Sequence, residues 1–270
     1  PDAKSSAAAD RPHLLLMDEP EICLHPDAIR DACRVLYDLP KTMNWQVMIT
    51  THSPVFINLS RDNTSIVRVE RTRQGVVNGT TIFRPKRTKL DEDGRAELKL
   101  LNLCDPHVAE FFFGGHTVVV EGDTEYTAFR YVVSTDPGKY KGIHVVRARG
   151  KACIKSLCKI LNQFEKNYAV LHDSDRETIR RRKTGQEMAN AMWTENATIL
   201  SAVEDGLKLG RVRLVACVPN FEEVFFGKEA DDEKPYGAWI RLRTDAAALA
   251  AVAALLDALI DPTKALPPGA

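Results

Sequence analysis

The sequence lacks several features that mark specialised classes of protein. Its 270 residues contain 37 basic and 37 acidic side chains, so nucleic-acid binding has to come from local patches of charge. The six cysteines form no CxxC pair and have no histidine at zinc-finger spacing, which favours reduced structural thiols. No apolar run approaches the roughly 20 residues that span a bilayer, and no secretory signal opens the chain. We therefore expect a cytoplasmic protein without a membrane segment.

The chain also lacks an initiating methionine, and its first apolar strand begins at His13. We therefore expect a fragment of a longer chain. A hydrophobic fraction of 44% and a charged fraction of 27% are ordinary for a globular protein. At about 150 residues per domain, the length predicts roughly two domains.

The first region has the pattern of part of an α/β domain. Residues 13–19, HLLLMDE, form an apolar run that ends in two acids, which is typical of a parallel strand buried on both faces. We expect a helix over 26–39 and a second strand over 45–53. SIVRVER and GVVNGTTIF then alternate like the strands of a hairpin. Mixed charged and apolar residues over 90–113 predict two connecting helices.

The second region alternates strands and helices. Strands are expected at 117–121, 143–148 and 168–173, with helices over 124–133 and 151–164 between them. This alternation predicts a parallel sheet covered by helices. The polar stretch 176–209 predicts an insertion of two or three amphipathic helices. A further strand, 212–218, and an Ala- and Leu-rich helix, 245–261, complete the region.

The first group of chemically informative residues lies in LLLMDEPEICLHP (14–26) and THSP (51–54). In a nucleotide-binding sheet, Asp18 would hold the water shell of Mg²⁺, Glu19 would polarise the attacking water and His52 would reach the γ-phosphate. The set resembles the Walker B, D-loop and switch-histidine half of an ABC-type ATPase. No GxxxxGK[ST] phosphate loop occurs in the sequence. This chain alone is therefore not expected to hydrolyse ATP.

Two further motifs place acids at the ends of predicted strands. In VVVEGDTE, Glu121 ends a strand and Glu125 lies in the first turn of the next helix. In LHDSDR, Asp173 and Asp175 are two apart on an extended segment, so both side chains leave one face. The alternatives are a strand-turn-helix whose acids favour the helix dipole and a solvated turn.

Four carboxylates at one sheet edge repel one another. Two charges 5 Å apart repel by about 3 kcal/mol at an effective dielectric constant of 20. Divalent cations relieve this repulsion best, and oxygen ligands select Mg²⁺ or Mn²⁺ over zinc. Such a cluster has room for two ions on either side of a scissile phosphate.

EGDTE followed by DSD resembles the Toprim fold of topoisomerases, primases and some nucleases. An ATPase tail, a Toprim domain and VPNFEEVFFG (218–227) in succession resemble the OLD (overcoming lysogenisation defect) family of ATPase-nucleases. The resemblance implies that Glu121 is the primary acid, as shared metal ligand or general base. It implies that the remaining ligands are Glu125, Asp173, Asp175 and either Glu222 or Glu223.

The choice between Glu222 and Glu223 rests on the strand that precedes them. Only one of two adjacent residues can face the shared sheet edge, and we favour Glu223. The resemblance also implies that Lys234 stabilises the transition-state phosphate. The alternative for Lys234 is one more solvated lysine.

Basic residues follow two of the acidic motifs. They are expected to contact DNA phosphates without sequence preference, and the alternative is a solvated helix face. The residues are Arg147, Arg149, Lys151, Arg176, Arg180, Arg181, Arg182 and Lys183.

Together these features predict a metal-dependent DNA endonuclease of α/β fold. The expected order is the C-terminal part of an ABC-type ATPase domain (1–88), connecting helices (89–114), a Toprim domain (115–235) with a helical insertion at about 176–210, and a helical segment (236–270). The expected cofactors are two Mg²⁺ or Mn²⁺ ions, with Ca²⁺ as an inert substitute and ATP only in a full-length protein.

The family likeness further implies nicking and cutting of duplex DNA, a role in phage defence and a homodimer formed through the ATPase domain, with a partner protein left open. Two alternatives remain: a topoisomerase or primase, and a non-catalytic, ATP-gated DNA clamp. A topoisomerase needs a nucleophilic tyrosine, whereas Tyr126, Tyr131 and Tyr168 fall inside predicted core elements.

Overall fold

A computed structural model describes residues 12–270 apart from 43, 59–60, 62, 72–73, 85–91, 105, 164–166, 182–184 and 228–233. No helix in the described part of the chain is both long and apolar enough to cross a membrane. Among the described residues, the following cysteines are free thiols: Cys23, Cys33, Cys153, Cys158 and Cys217.

The described elements largely follow the predicted order. The strands are β1 (His13–Asp18), β2 (Trp45–Thr50), β3 (Ile66–Arg71), β4 (Val77–Phe83), β5 (His116–Val120), β6 (Ile143–Arg147), β7 (Tyr168–Asp173), β8 (Thr178–Arg180), β9 (Glu187–Ala189) and β10 (Val212–Cys217). The α-helices are α1 (Pro26–Thr42), α2 (Glu92–Cys104), α3 (Asp123–Thr135), α4 (Lys151–Gln163), α5 (Ala191–Lys208), α6 (Phe221–Phe226), α7 (Lys234–Thr244) and α8 (Ala246–Ile260).

The first region contains two small sheets. β1 and β2 pair in parallel and are joined through α1, while β3 and β4 form the predicted antiparallel hairpin. α2 and a 3-10 helix (Pro106–Phe113) then connect to the second region. The two connecting helices are therefore present, one of them as a 3-10 helix.

The second region is built on a four-stranded parallel sheet of order β10-β7-β5-β6. β5 alternates between two cores: Val119 packs on one side with α4 and α5, and Val118 and Val120 pack on the other with α3 and α8. A strand buried on both faces needs a continuous apolar run, which the valines supply. This sheet brings the ends of β5, β7 and β10 to one edge.

The predicted helical insertion needs correction. β8 and β9 pair in an antiparallel ladder, and α5 is the one helix among the described residues of the predicted insertion. Asn190 caps α5, since its side chain accepts from the backbone N–H of Met192 at 3.0 Å. Arg180 therefore lies on a strand and not on a basic helix. A strand of three residues is too short for its alternating pattern to be distinguished from that of a helix.

Candidate metal centre

Glu121 and Glu125 lie at the C-terminal edge of β5, as the sequence predicts. Glu121 follows the strand directly, and Glu125 lies in the first turn of α3. A Cβ atom added to Gly122 would lie 3.1 Å from Glu125 Oε2, so the glycine leaves room for this carboxylate. Glu125 is only 4% exposed. Its charge is therefore almost completely removed from water.

Asp173 joins these acids from the neighbouring strand. It ends β7, which pairs with β5. Its backbone N–H donates to Glu121 Oε2 at 3.1 Å, and its own Oδ1 accepts from the backbone N–H of Phe221 at 2.8 Å. These bonds hold Asp173 between the ends of β5 and α6.

Glu222 is the fourth acid at this edge. It is buried in the first turn of α6, and its Oε1 accepts from Thr124 Oγ1 at 3.1 Å. Lys234 Nζ lies 3.4 Å from the same oxygen. The predicted lysine therefore does lie beside the acids, with its side chain about half exposed.

The preference for Glu223 over Glu222 needs correction. Glu223 points away from the other acids, and its carboxylate accepts from Arg176 at 2.9 Å and from Asn220 Nδ2 at 2.9 Å. Asn220 also caps α6 by accepting from the backbone N–H of Glu223. Because the cap fixes where the helix starts, it decides which of the two glutamates faces inward.

Burial and mutual repulsion raise the pKa of three of these acids. Burial, followed by the charges of Glu121 and Glu222, raises the pKa of Glu125 to about 7. Burial, followed by the charges of Glu125 and Glu121, raises the pKa of Asp173 to about 8. The pKa of Glu121 is also raised, mainly by burial. When these acids are ionised, they therefore carry negative charge that their surroundings do not balance.

The chemistry of these donors fits a divalent cation, whereas their present orientation does not yet form a closed site. Within the described residues, no group of three or more His, Cys, Asp or Glu side chains is arranged to hold a metal ion. Glu121, Asp173 and Glu222 each have a carboxylate oxygen engaged in a protein hydrogen bond. Mg²⁺ and Mn²⁺ prefer oxygen ligands, and their positive charge would relieve the repulsion between these carboxylates.

Lys151 differs from its predicted role, and Asp175 makes a contact that the sequence did not predict. The segment after β7 is not extended: Asp175 has a φ of +60°, and its carboxylate pairs with the ammonium of Lys151. The Lys151 side chain is 0% exposed, so it does not reach a DNA phosphate. The expectation that Lys151 binds DNA is therefore wrong.

The other predicted DNA-binding residues lie in different environments. Arg147 pairs with Asp123 and stacks over the Tyr126 ring, and Arg176 pairs with Glu223. Arg149 is exposed in the turn after β6. Two more exposed arginines lie on or beside β8: Arg180 and Arg181. Two of the predicted residues, Arg182 and Lys183, lie outside the described residues.

The predicted nucleotide-site residues also come together. Asp18 ends β1 and accepts from Thr50 Oγ1, and the Glu19 backbone N–H donates to the Thr50 carbonyl at 3.0 Å. His52 Nε2 lies 3.3 Å from Glu19 Oε1. The glutamate and the histidine therefore face each other at the C-terminal ends of β1 and β2.

Glu21 is a residue that the sequence prediction missed. Its Oε1 accepts from Thr51 Oγ1 at 2.6 Å and from the backbone N–H groups of His52 at 2.9 Å and Ser53 at 3.1 Å. Although burial raises its pKa, these bonds hold the pKa of Glu21 below its ordinary value. Glu21 thus fixes the loop that carries His52. Nothing in the local sequence reports this contact between segments 30 residues apart.

Comparison with known proteins agrees with this geometry. Residues 112–175 match a family model described as the Toprim domain of proteins like the overcoming lysogenization defect protein. The chain carries an OLD-like Toprim domain. The matched segment of this Toprim domain includes Glu121, Glu125, Asp173 and Asp175, whereas Glu222 and Lys234 lie beyond it. Residues 3–57 match a model described as an AAA ATPase domain. The predicted resemblance and α/β fold are confirmed.

Two curated proteins are similar over most of the chain. The OLD nuclease of Thermus scotoductus is 28% identical over 232 residues, which cover 82% of this chain and 42% of that protein. The Old nuclease of Escherichia phage P2 is 24% identical over 215 residues, which cover 77% of this chain and 35% of that protein. This Toprim-containing chain therefore spans less than half the length of both relatives.

Proposed function

We propose that this chain is the nuclease part of an ATPase-linked DNA endonuclease that uses divalent cations. The observation that carries the proposal is the meeting of Glu121, Glu125, Asp173 and Glu222 at one edge of the parallel sheet. The raised pKa values of Glu121, Glu125 and Asp173, caused by burial and repulsion between the acids, favour a cation as the missing counter-charge. The nuclease names of both relatives support the same activity.

Glu121 is the proposed proton acceptor. One of its oxygens, Oε2, accepts the Asp173 N–H, which leaves Oε1 to take a proton from the attacking water. Burial raises the pKa of Glu121, and a more basic carboxylate is a better general base near neutral pH. When bound, two Mg²⁺ or Mn²⁺ ions would neutralise the scissile phosphate and acidify the attacking water.

Lys234 is the proposed stabiliser of the reacting phosphate. Its ammonium lies beside the buried Glu222 while half of its side chain faces solvent. A phosphate entering from solvent can therefore meet Lys234 next to the acids. A fixed positive group there stabilises charge that develops in the transition state.

The proposed DNA path runs along the exposed arginines. The turn that carries Arg149 lies next to the centre, since the Gly150 N–H donates to the Glu121 carbonyl at 2.9 Å. Arg180 and Arg181 follow the Asp173 loop on or beside β8. Contacts from these arginines to phosphates would be independent of sequence. Arg147 and Arg176 would first have to exchange their present carboxylate partners.

We further propose that the β1–β2 segment works in nucleotide hydrolysis within a longer protein that supplies a phosphate loop. The pairing of Glu19 with His52 supports this role. By the likeness to the OLD family, we also propose a homodimer and a function in phage defence. Size measurement in solution and the plating efficiency of phage on cells that express the full protein test these two statements.

A plasmid assay tests the nuclease proposal. Supercoiled plasmid is incubated with the chain in Mg²⁺ or Mn²⁺ and, as a control, in chelator. Nicked and linear products that require the metal support an endonuclease. Relaxed closed circles would instead indicate a topoisomerase, and unchanged DNA that is nevertheless bound would indicate a clamp. The variant Asp173→Asn should lower the metal-dependent cleavage. The control variant Asp31→Asn, on the exposed surface of α1, should leave it unchanged.

A further inference from the structure

Helix α7 carries an exposed aromatic ring directly beside the carboxylate cluster. The helix begins at Lys234, whose Nζ lies 3.4 Å from Glu222 Oε1. Tyr236 lies two residues further along the same helix and is 58% exposed. Because a tyrosine ring stabilises a fold mainly when it is buried, packing within the chain does not account for this position. The ring is therefore available to a ligand that approaches the cluster from solvent.

The exposed ring lies on the outward face of α7. The helix packs inward through Ala238 and Leu242, which are four residues apart and both buried. At about 100° per residue, Tyr236 and Arg243 lie on the opposite side, and both are exposed. Trp239 lies between the two sides and is partly buried. Tyr236 therefore faces away from the core on which α7 packs.

Three side chains on this face follow one another along the helix. The ring centroids of Tyr236 and Trp239 are 5.8 Å apart, with the ring planes inclined by 33°. Arg243 Cζ lies 4.5 Å from the centroid of the Trp239 ring. We call Tyr236, Trp239 and Arg243 the α7 ladder. These contacts hold the tyrosine ring while it stays exposed, so little side-chain freedom is lost when a flat ligand stacks on it.

The charge around the α7 ladder favours a nucleic-acid strand as its occupant. The helix sequence, KPYGAWIRLRT, contains three basic residues and no acid. Arg241 pairs with Asp245 at 2.9 Å, whereas Lys234 and Arg243 lie at the two ends of the aromatic pair. Flat π-faces beside fixed positive charge match the bases and phosphates of a single strand. An apolar protein partner would instead remove these charges from water without pairing them.

We propose that the α7 ladder stacks on an unpaired base of the DNA strand whose phosphate meets Lys234. Lys234 and Tyr236 lie within one helical turn, so such a strand carries a neighbouring base to the ring. The faces of paired bases are covered by their neighbours in the duplex, and stacking on a side chain requires a base that has left it. This inference rests on the proposed nuclease and names its preferred substrate class: DNA with unpaired nucleotides beside the phosphate to be cut.

DNA binding by the whole chain tests the α7 ladder without cleavage. Fluorescence anisotropy compares labelled oligothymidine with a blunt duplex in Ca²⁺, the inert substitute for the catalytic cation. Tyr236→Leu should weaken binding of the single strand about tenfold, because a stacked base is lost, and should leave binding of the duplex within about twofold. Tyr236→Phe keeps the ring and should bind both as the unmodified chain does. Unchanged single-strand affinity in Tyr236→Leu, or no single-strand binding by the unmodified chain, would reject the proposal.

Two arginine variants separate stacking from net charge. Arg243→Gln and Arg241→Gln each remove one positive charge from α7, but only Arg243 lies over the Trp239 ring. Arg243→Gln should weaken single-strand binding about threefold more than Arg241→Gln, because it also removes the support of the aromatic pair. Equal losses in the two variants would mean that only the charge of the helix matters, and the α7 ladder would be rejected.

Photocrosslinking locates the stacked base. A single strand that contains 5-iodouracil is irradiated in the complex, and the adduct is mapped by mass spectrometry. The adduct should fall on the peptide that carries Tyr236 and Trp239, and Tyr236→Leu should reduce it more than Tyr236→Phe does. An adduct confined to another part of the chain would contradict the proposal.

Failure of the α7 ladder and failure of the nuclease proposal give different results. If the plasmid assay shows no metal-dependent cleavage while single-strand binding still depends on Tyr236, the nuclease proposal fails and the ladder remains a DNA-binding site. If cleavage occurs but single-strand binding is indifferent to Tyr236→Leu, the nuclease proposal stands and the ladder is wrong. Light scattering adds one more outcome: a change of oligomeric state in Tyr236→Leu with unchanged DNA affinity would assign this face to a protein interface instead.

Discussion

The two regions of this chain place acids in the same position but in opposite surroundings. In both, carboxylates follow the C-terminal ends of parallel strands. β5 and β7 are buried on both faces, and Val119 and Val170 are 0% exposed, whereas Leu16 and Met48 on β1 and β2 are more than 60% exposed. The acids after β5 and β7 therefore leave water, while Glu19 pairs with an exposed His52. Within the described part of the chain, the acids at the strand ends are therefore as buried or as exposed as the strands that carry them.

The largest difference between the regions is expected for catalysis. Asp173→Asn should lower metal-dependent DNA cleavage about 1,000-fold, because a lost cation ligand removes several kcal/mol of charge stabilisation. Asp31→Asn, on the exposed surface of α1, should leave cleavage unchanged. Initial rates on supercoiled plasmid measure both. Normal cleavage by Asp173→Asn would show that the buried acids are not the catalytic centre.

The next largest difference is expected for stability without metal. Glu125→Gln should raise the free energy of unfolding of the metal-free chain by about 2 kcal/mol at pH 8, because it removes a buried charge that repels its neighbours. Glu19→Gln, in the exposed region, should change it by no more than about 0.5 kcal/mol. Urea denaturation in chelator gives both values. Addition of Mg²⁺ should then stabilise the original chain more than Glu125→Gln.

Much of this arrangement could be predicted from the sequence because it depends on local patterns. The apolar strands and the acids that follow them are contiguous in the chain, and parallel strands bring their carboxyl ends to one edge. This reasoning places Glu121, Glu125 and Asp173 together. The cofactor and catalytic roles of these residues stay predictions until the experiments above are done.

The features that the sequence could not predict depend on contacts between distant segments. Glu222 and Glu223 are chemically alike, and only the start of α6 decides which one faces inward. Lys151 resembles a surface lysine until α5 packs over it. The hairpin of β8 and β9 is too short to show a period of its own.

Glu21 is an exception to the contrast between the two regions. It lies in the exposed region, yet its carboxylate accepts three hydrogen bonds from protein donors. Glu21→Gln should destabilise the β1–β2 segment by about 1.5 kcal/mol, since charge-assisted bonds from Thr51, His52 and Ser53 are weakened. Amide exchange at His52 and Ser53 should accelerate accordingly. Asp31→Asn, on the exposed surface of α1, is the control and should leave those amides unchanged. Equal exchange in the two variants would show that Glu21 does not fix the loop.

Asp257 lies in the second region but has a lowered pKa, in contrast to Glu125 and Asp173. Its substitution is expected to give the smallest effect on stability. This α8 residue accepts from Lys139 Nζ at 2.8 Å, Tyr140 Oη at 3.0 Å and Lys264 Nζ at 3.0 Å. Although burial raises its pKa, these donors hold the pKa of Asp257 below the ordinary value of 3.8. A lowered carboxyl pKa stabilises the fold above the unfolded-state pKa, and this stabilisation is lost as the pH falls through the folded-state pKa.

Asp257→Asn should therefore cost about 1 kcal/mol at pH 7 and progressively less below pH 4. Asp205→Asn, at an exposed position on α5, should show no such trend. Chemical denaturation of both variants between pH 3 and pH 7 measures the difference. A cost that stays constant across this range would mean that the donors bind the ionised and the protonated carboxyl group of Asp257 equally well. In that case the direction of the pKa shift at this partly buried acid would not follow from its hydrogen-bond donors, and the contrast with Glu125 and Asp173 would rest on repulsion alone.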